Sequence, residues 1–167
     1  MTDSSPSAAT GGGRPIVVGT DGSPHAEQAV LFALREAQLR GVTVRAVCAY
    51  FYTPDRYAAY GWMTVPDPDG SLYTQLRQQA LEEVTNSVRQ LKERLGGPAV
   101  EVEVTAEPGR PAEVLLEVSQ GAALLVVGSR GSGMWGRLTL GSTSTEVVHH
   151  AHLPVVVVPA DSEGAAG

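Results

Sequence analysis

The chain has 167 residues, is 43% hydrophobic and carries a formal net charge of −6. That length suits one well-cored domain and is short for two. The acidic balance excludes bulk attraction to nucleic acid or to an anionic membrane surface, since both need basic side chains to neutralise phosphates. No apolar run reaches the roughly eighteen residues of a membrane span, and Met1 to Gly13 has neither a basic start nor an apolar core, so a cytoplasmic protein is expected. The single cysteine, Cys48, rules out an internal disulfide and is expected to be a buried, inert thiol.

Residues 1–14 and 161–167 carry too little apolar surface to offset the entropy of ordering and are predicted to be tails, leaving one domain over 15–160. Ile16-Val17-Val18-Gly19 is a buried-strand run that ends at Thr20-Asp21-Gly22-Ser23-Pro24, where Ser23 suits an N-cap and Pro24 the first helical position. Ala26, Ala29, Val30, Ala33, Leu34 and Ala37 then trace one helix face, which Gly41 stops. A second strand follows over about Val42 to Ala49. Leu72, Leu76, Ala80, Val84, Val88, Leu91 and Leu95 mark a long amphipathic helix ended by Gly96-Gly97-Pro98. Val100 to Val104 alternates strictly, the pattern of a strand with one wet face, and is placed at a sheet edge. Pro111 opens a short helix to about Gln120, residues 122–127 form a strand, a last helix spans about 143–151, and Val155 to Val158 form the final strand. Alternating strands and helices predict an α/β fold, a doubly wound three-layer sandwich on a five-stranded parallel sheet. Ligands of such sheets sit beyond the carboxyl ends of strands where the winding reverses, the rim to which Asp21 and Gly128 both belong.

Gly128-Ser129-Arg130-Gly131 and, nine residues on, Gly141-Ser142 stand between a strand and a helix. Glycine there would let backbone N–H groups approach an anion, and Thr143-Ser144-Thr145-Glu146 fits a capping box at a helix N-terminus. Ser129 and Ser142 offer hydroxyl donors and Arg130 offers charge. The loop lacks the lysine of a Walker A sequence, because the only lysine, Lys92, lies in the long helix. Two plainer readings stand beside this one: a bare glycine turn, and an Asx turn as the whole role of Asp21.

The spacing Gly, two residues, Gly, nine residues, Gly-Ser resembles the nucleotide-binding branch of the universal stress proteins. Val17 to Ser23 is similar to that family's first strand and ribose-contacting aspartate, and Leu153 to Pro159 to its last strand; the likeness spans about residues 14–160. It implies the strand order 3-2-1-4-5 in a Rossmann-like sheet. It also implies that Asp21 accepts from ribose hydroxyls with Thr20 in the same turn, that Val47 meets adenine by its backbone, and that Gly128, Ser129, Arg130, Gly131, Gly141, Ser142 and Thr143 surround phosphates. The implied ligand is ATP with Mg²⁺ or Mn²⁺, with AMP or cyclic AMP as alternatives. No catalytic residue is assigned, since no general base is evident beside the phosphates. A regulatory or sensing module is expected. A nucleotide-using enzyme of the ATP pyrophosphatase or ligase type is the alternative, disfavoured because its phosphate loop would follow the first strand.

In that strand order Val155, Val156, Val157 and Val158 lie at a sheet edge, so a homodimer paired through this strand is expected, with Pro154 and Pro159 limiting its extent. Phe51, Tyr52, Tyr57, Tyr60 and Trp62 crowd the 51–70 connection, which is either a flap beside the adenine end or a loop tucked onto the surface by its rings. His149, His150 and His152 lack a convincing fourth metal ligand, and His25 reads as exposed near the rim.

Overall fold

A computed structural model describes residues 12–50, 69–129 and 140–160. The Phe51 to Trp62 aromatics and most of both proposed tails lie outside these residues. The chain runs β1 (Ile16–Gly19), a 3₁₀ turn (Pro24–Ala26), α1 (Glu27–Arg40), β2 (Val44–Tyr50), α2 (Ser71–Leu95), β3 (Val102–Pro108), α3 (Pro111–Val118), β4 (Leu124–Gly128), α4 (Ser142–His150) and β5 (Val155–Val158). The five strands form one sheet in the order β3-β2-β1-β4-β5, parallel at every pairing.

The period-two side-chain alternation of each strand divides the core into two layers. Ile16, Val18, Ala46 and Val126 face one side, where Val30, Ala33 and Leu34 of α1 and Val84, Val88 and Leu91 of α2 cover them. Val17, Val47, Leu125 and Val127 face the other side, under Ala112 and Leu115 of α3 and Val147 of α4. Burying each such Val or Leu side chain contributes about 1.5–3 kcal/mol. β1 and β4 are both fully enclosed, which is why each reads as an unbroken apolar run.

Several element ends differ from the sequence expectation. Ser23 stands at the N-cap position with Pro24 after it, yet it makes no side-chain capping bond, and the first turn is 3₁₀ before α1 begins. β3 lies at the edge as predicted but extends to Pro108, past the point where the apolar alternation stops. Its polar half is held by the ladder to β2, which runs as far as Tyr50 beside Pro108, and by Arg45 paired with Glu103 at 3.0 Å. Among the described residues, no helix is long and apolar enough to cross a membrane.

The capping box does not form. α4 starts one residue earlier than expected, with Gly141 as N-cap at φ −65° and ψ 167°, and no side chain caps it. Glu146, which would have reached back, instead accepts from Arg110 at 3.0 Å. The start of α4 is fixed by Ser129. Its N–H donates to the Val158 carbonyl at 2.8 Å, while its own carbonyl accepts from the Gly141 N–H at 2.7 Å. The buried Ser144 hydroxyl lies 3.2 Å from that carbonyl and 3.0 Å from the Gly141 carbonyl, one proton shared between two acceptors. Replacing Ser144 by Ala should therefore lower stability by roughly 1 kcal/mol in urea unfolding, since two partly buried carbonyls lose a donor.

Cys48 is buried on the α1/α2 face. Burial, with the nearby charges of Asp21 and Glu83 adding to it, pushes the thiol up from 9.0 to about 11. Folding thus favours the protonated thiol. This contribution is intact below pH 9 and is lost as the pH rises through 11. The stability advantage of wild type over Cys48→Ala should shrink by roughly 1–2 kcal/mol between pH 8 and pH 10.5 in urea titrations.

Candidate functional site

From β1 the chain winds outward to β2 and β3, then returns past β1 to β4 and β5. The winding reverses between β1 and β4, so their carboxyl ends open a crevice that no crossover fills. A cleft of about 270 Å³ lies there, close to the lower limit of ordinary small-molecule sites. Gly19, Val47 and Val127 form its floor, Pro111 and Leu115 of α3 one wall, and the first turn of α4 another.

The β1 side is held by short bonds. The Thr20 N–H donates to the Val47 carbonyl at 3.0 Å, and Thr20 Oγ1 accepts from the Gly22 N–H at 3.1 Å. Gly22 has φ +77°, and a Cβ there would lie 3.3 Å from the Glu83 carbonyl, so glycine is needed both for the turn and for its close approach to α2. Asp21 is exposed, with Oδ1 accepting from the Ser23 N–H at 2.9 Å. The Asx turn is therefore real. It occupies one of about four lone-pair positions on the carboxylate and leaves the others for a ligand. Gly19 has a different role: a Cβ would sit 2.7 Å from Leu115 Cδ1, so its bare backbone lets the α3 wall close over the floor.

On the β4 side, two backbone N–H groups are already committed. The Gly141 N–H bonds Ser129 and the Ser129 N–H bonds Val158. Gly141's φ of −65° is open to any residue, so neither its conformation nor its N–H serves an anion. The donors instead lie in the three residues that follow Gly141. The first intrahelical bond runs from the Thr145 N–H to the Gly141 carbonyl, so the N–H groups of Ser142, Thr143 and Ser144 precede the helix ladder. With the hydroxyls of Ser142 and Thr143 they make the α4 terminus an anion-favouring wall.

Thr20, Asp21, Val47, Gly128, Gly141, Ser142 and Thr143 thus all line one cleft. Ser129 acts through its backbone behind that wall, while Arg130 and Gly131 lie outside the described residues. Nothing local in the sequence marks Pro111 and Leu115 as a wall, because their apolar pattern specifies only that the helix is buried. His25 stands on the cleft lining. Among the described residues, no group of three His, Cys, Asp or Glu side chains assembles a metal site.

Residues 13–159 match the family model for the universal stress protein family. Universal stress protein Rv2623 of Mycobacterium tuberculosis is 37% identical over 145 residues, covering 86% of this chain and 46% of that protein. Universal stress protein Rv2005c of the same organism is 35% identical over 143 residues, with 86% and 44% covered. The chain spans about half the length of the curated relatives it matches. A universal stress protein solved in complex with cAMP is 27% identical, with 89% of this chain and 98% of that chain aligned at a TM-score of 0.58. UspA from Lactobacillus plantarum, 22% identical over 87% of this chain and 97% of its own, has the same fold at a TM-score of 0.66. With the family pattern running almost end to end over a sheet of this order, the chain belongs to the universal stress protein family.

Proposed function

We propose that the cleft binds an adenine nucleotide, ATP in the first instance, and that the protein is a cytoplasmic regulatory module that responds to its nucleotide state. The observation that carries this reading is the pairing of two complementary ends in one crevice: the Asp21 carboxylate, an acceptor for sugar hydroxyls, and the α4 terminus, a donor set for phosphate oxygens. Support also comes from the relative solved with cAMP. The Val47 carbonyl already holds the Thr20 N–H, and its second lone pair is the acceptor we assign to the adenine amino group. Arg130 and Gly131 are assigned to the phosphates on their spacing alone.

Mg²⁺ or Mn²⁺ fits the donor set only through the ligand. Asp21 is the one carboxylate lining the cleft among the described residues, so phosphate oxygens and water would supply most of the coordination. When bound, the ion would neutralise phosphate charge that the acidic chain does not. Cyclic AMP and AMP share the adenosine contacts and are the second reading, favoured by the ligand of the solved relative.

Calorimetry with ATP, AMP and cyclic AMP tests the assignment. Wild type should bind at least one of them below millimolar concentration. Asp21→Asn keeps the Oδ1 acceptor of the Asx turn and removes the charge, so it should weaken binding roughly 10-fold or more without unfolding the turn. Gly131→Val should weaken the phosphate-bearing ligands most. No binding of any of the three by wild type would end the nucleotide reading.

We further infer a homodimer through β5. Pro154 and Val158 accept from Leu125 of β4 and from Ser129 just after it, so in the parallel ladder the intervening Val155 and Val157 direct their backbone groups to the open edge. All four valines are half-buried in the single chain. Val157→Pro removes an outward donor while sparing the β4 ladder. Light scattering should find a wild-type dimer and a Val157→Pro monomer; a monomeric wild type at high concentration would refute the interface.

A further inference from the structure

The walls of the cleft carry two ionisable side chains among the described residues, Asp21 and His25. Asp21 accepts the Ser23 N–H of its turn with one lone pair and is the acceptor assigned above to the sugar hydroxyls. His25 is exposed and makes no hydrogen bond or ion pair with any described residue. It sits in the 3₁₀ turn Pro24–Ala26, which the Ala26 N–H to Ser23 carbonyl bond closes at 3.1 Å. That turn touches β4, the strand whose exit leads to the α4 terminus. His25 lines the same small cleft as Ser142 and Thr143.

We infer that His25 is a phosphate-contacting, specificity-determining residue of this cleft, so that binding of a phosphate-bearing nucleotide is coupled to uptake of a proton. The inference rests on the nucleotide reading above. Histidine is the side chain that changes charge between pH 5 and 8, and a phosphate oxygen favours its cationic form. The groups around it do not substitute for that charge. Asp21 is negative and opposes an anion; Glu27, two residues on, is held by Arg94 at 3.3 Å. β4 carries no ionisable side chain, and the first turn of α4 has no acidic one. Arg110 is bound to both Glu113 and Glu146. An arginine elsewhere at the phosphates would stay charged throughout this pH range and so would add affinity without pH dependence.

The test compares cyclic AMP, whose phosphodiester does not titrate near neutrality, with adenosine, which has no phosphate. Affinities of wild type, His25→Gln and His25→Lys are measured by calorimetry at pH 6 and pH 8, in two buffers of different ionisation enthalpy to count protons. Wild type should bind cyclic AMP roughly 5- to 10-fold tighter at pH 6 than at pH 8, with net proton uptake. His25→Gln should be weak and flat, His25→Lys tight and flat, and adenosine flat for all three. A pH-independent wild type, a His25→Gln variant that keeps the wild-type slope, or an equal slope for adenosine would each overturn the inference while leaving the nucleotide site standing. Failure of cyclic AMP to bind at either pH would overturn this inference, and failure of ATP and AMP as well would remove the nucleotide reading with it.

Discussion

Everything at the functional end of this molecule depends on the reversal of winding at β1. Parallel strands joined by right-handed crossovers place α1 and α2 on one face while the chain moves outward, and α3 and α4 on the other once it has passed back across β1. Two neighbouring strands, β1 and β4, then send their exits to opposite faces. The space between those exits is empty of backbone by topology, before any side chain is chosen. What the sequence adds is chemistry of opposite polarity on its two sides.

Both sides are preorganised by main-chain bonds, and this is why small polar residues suffice. The β1 turn is tied to β2 through Thr20 and Val47 and lies against α2 through Gly22. The β4 exit is tied to β5 and α4 through Ser129. A carboxylate and a set of N–H donors are thus held facing a common space with little ordering left for a ligand to impose, the condition under which modest contacts yield useful affinity.

Much of this was legible in the sequence because it is local. The apolar runs of β1 and β4, the helical stripe of α2 and the edge alternation of β3 each follow from side-chain period alone, and Asp21 and Gly128 are marked by their position after strands. What was not legible depends on partners distant in the chain. Glu146 fails to cap α4 because Arg110, 36 residues away in sequence, takes its carboxylate. The Gly141 N–H is taken by the Ser129 carbonyl at the exit of β4. β3 continues through Thr105, Ala106 and Glu107 because β2 supplies its ladder, although the apolar pattern has ended. Leu115 becomes a cleft wall because Gly19, almost a hundred residues earlier, has no side chain.

The bond between the Ser129 carbonyl and the Gly141 N–H also bears on how such a protein can diversify. It joins the two ends of the glycine-spaced stretch directly, so residues at the margins of that stretch anchor α4 to the exit of β4. The entropy of closing a loop rises only slowly with its length, about 0.6 kcal/mol for each doubling. A change in the number of residues between these two anchors would therefore add little to the entropy of closing the loop. A stretch of another length could then be joined between the same two anchors while the sheet and the start of α4 keep their places.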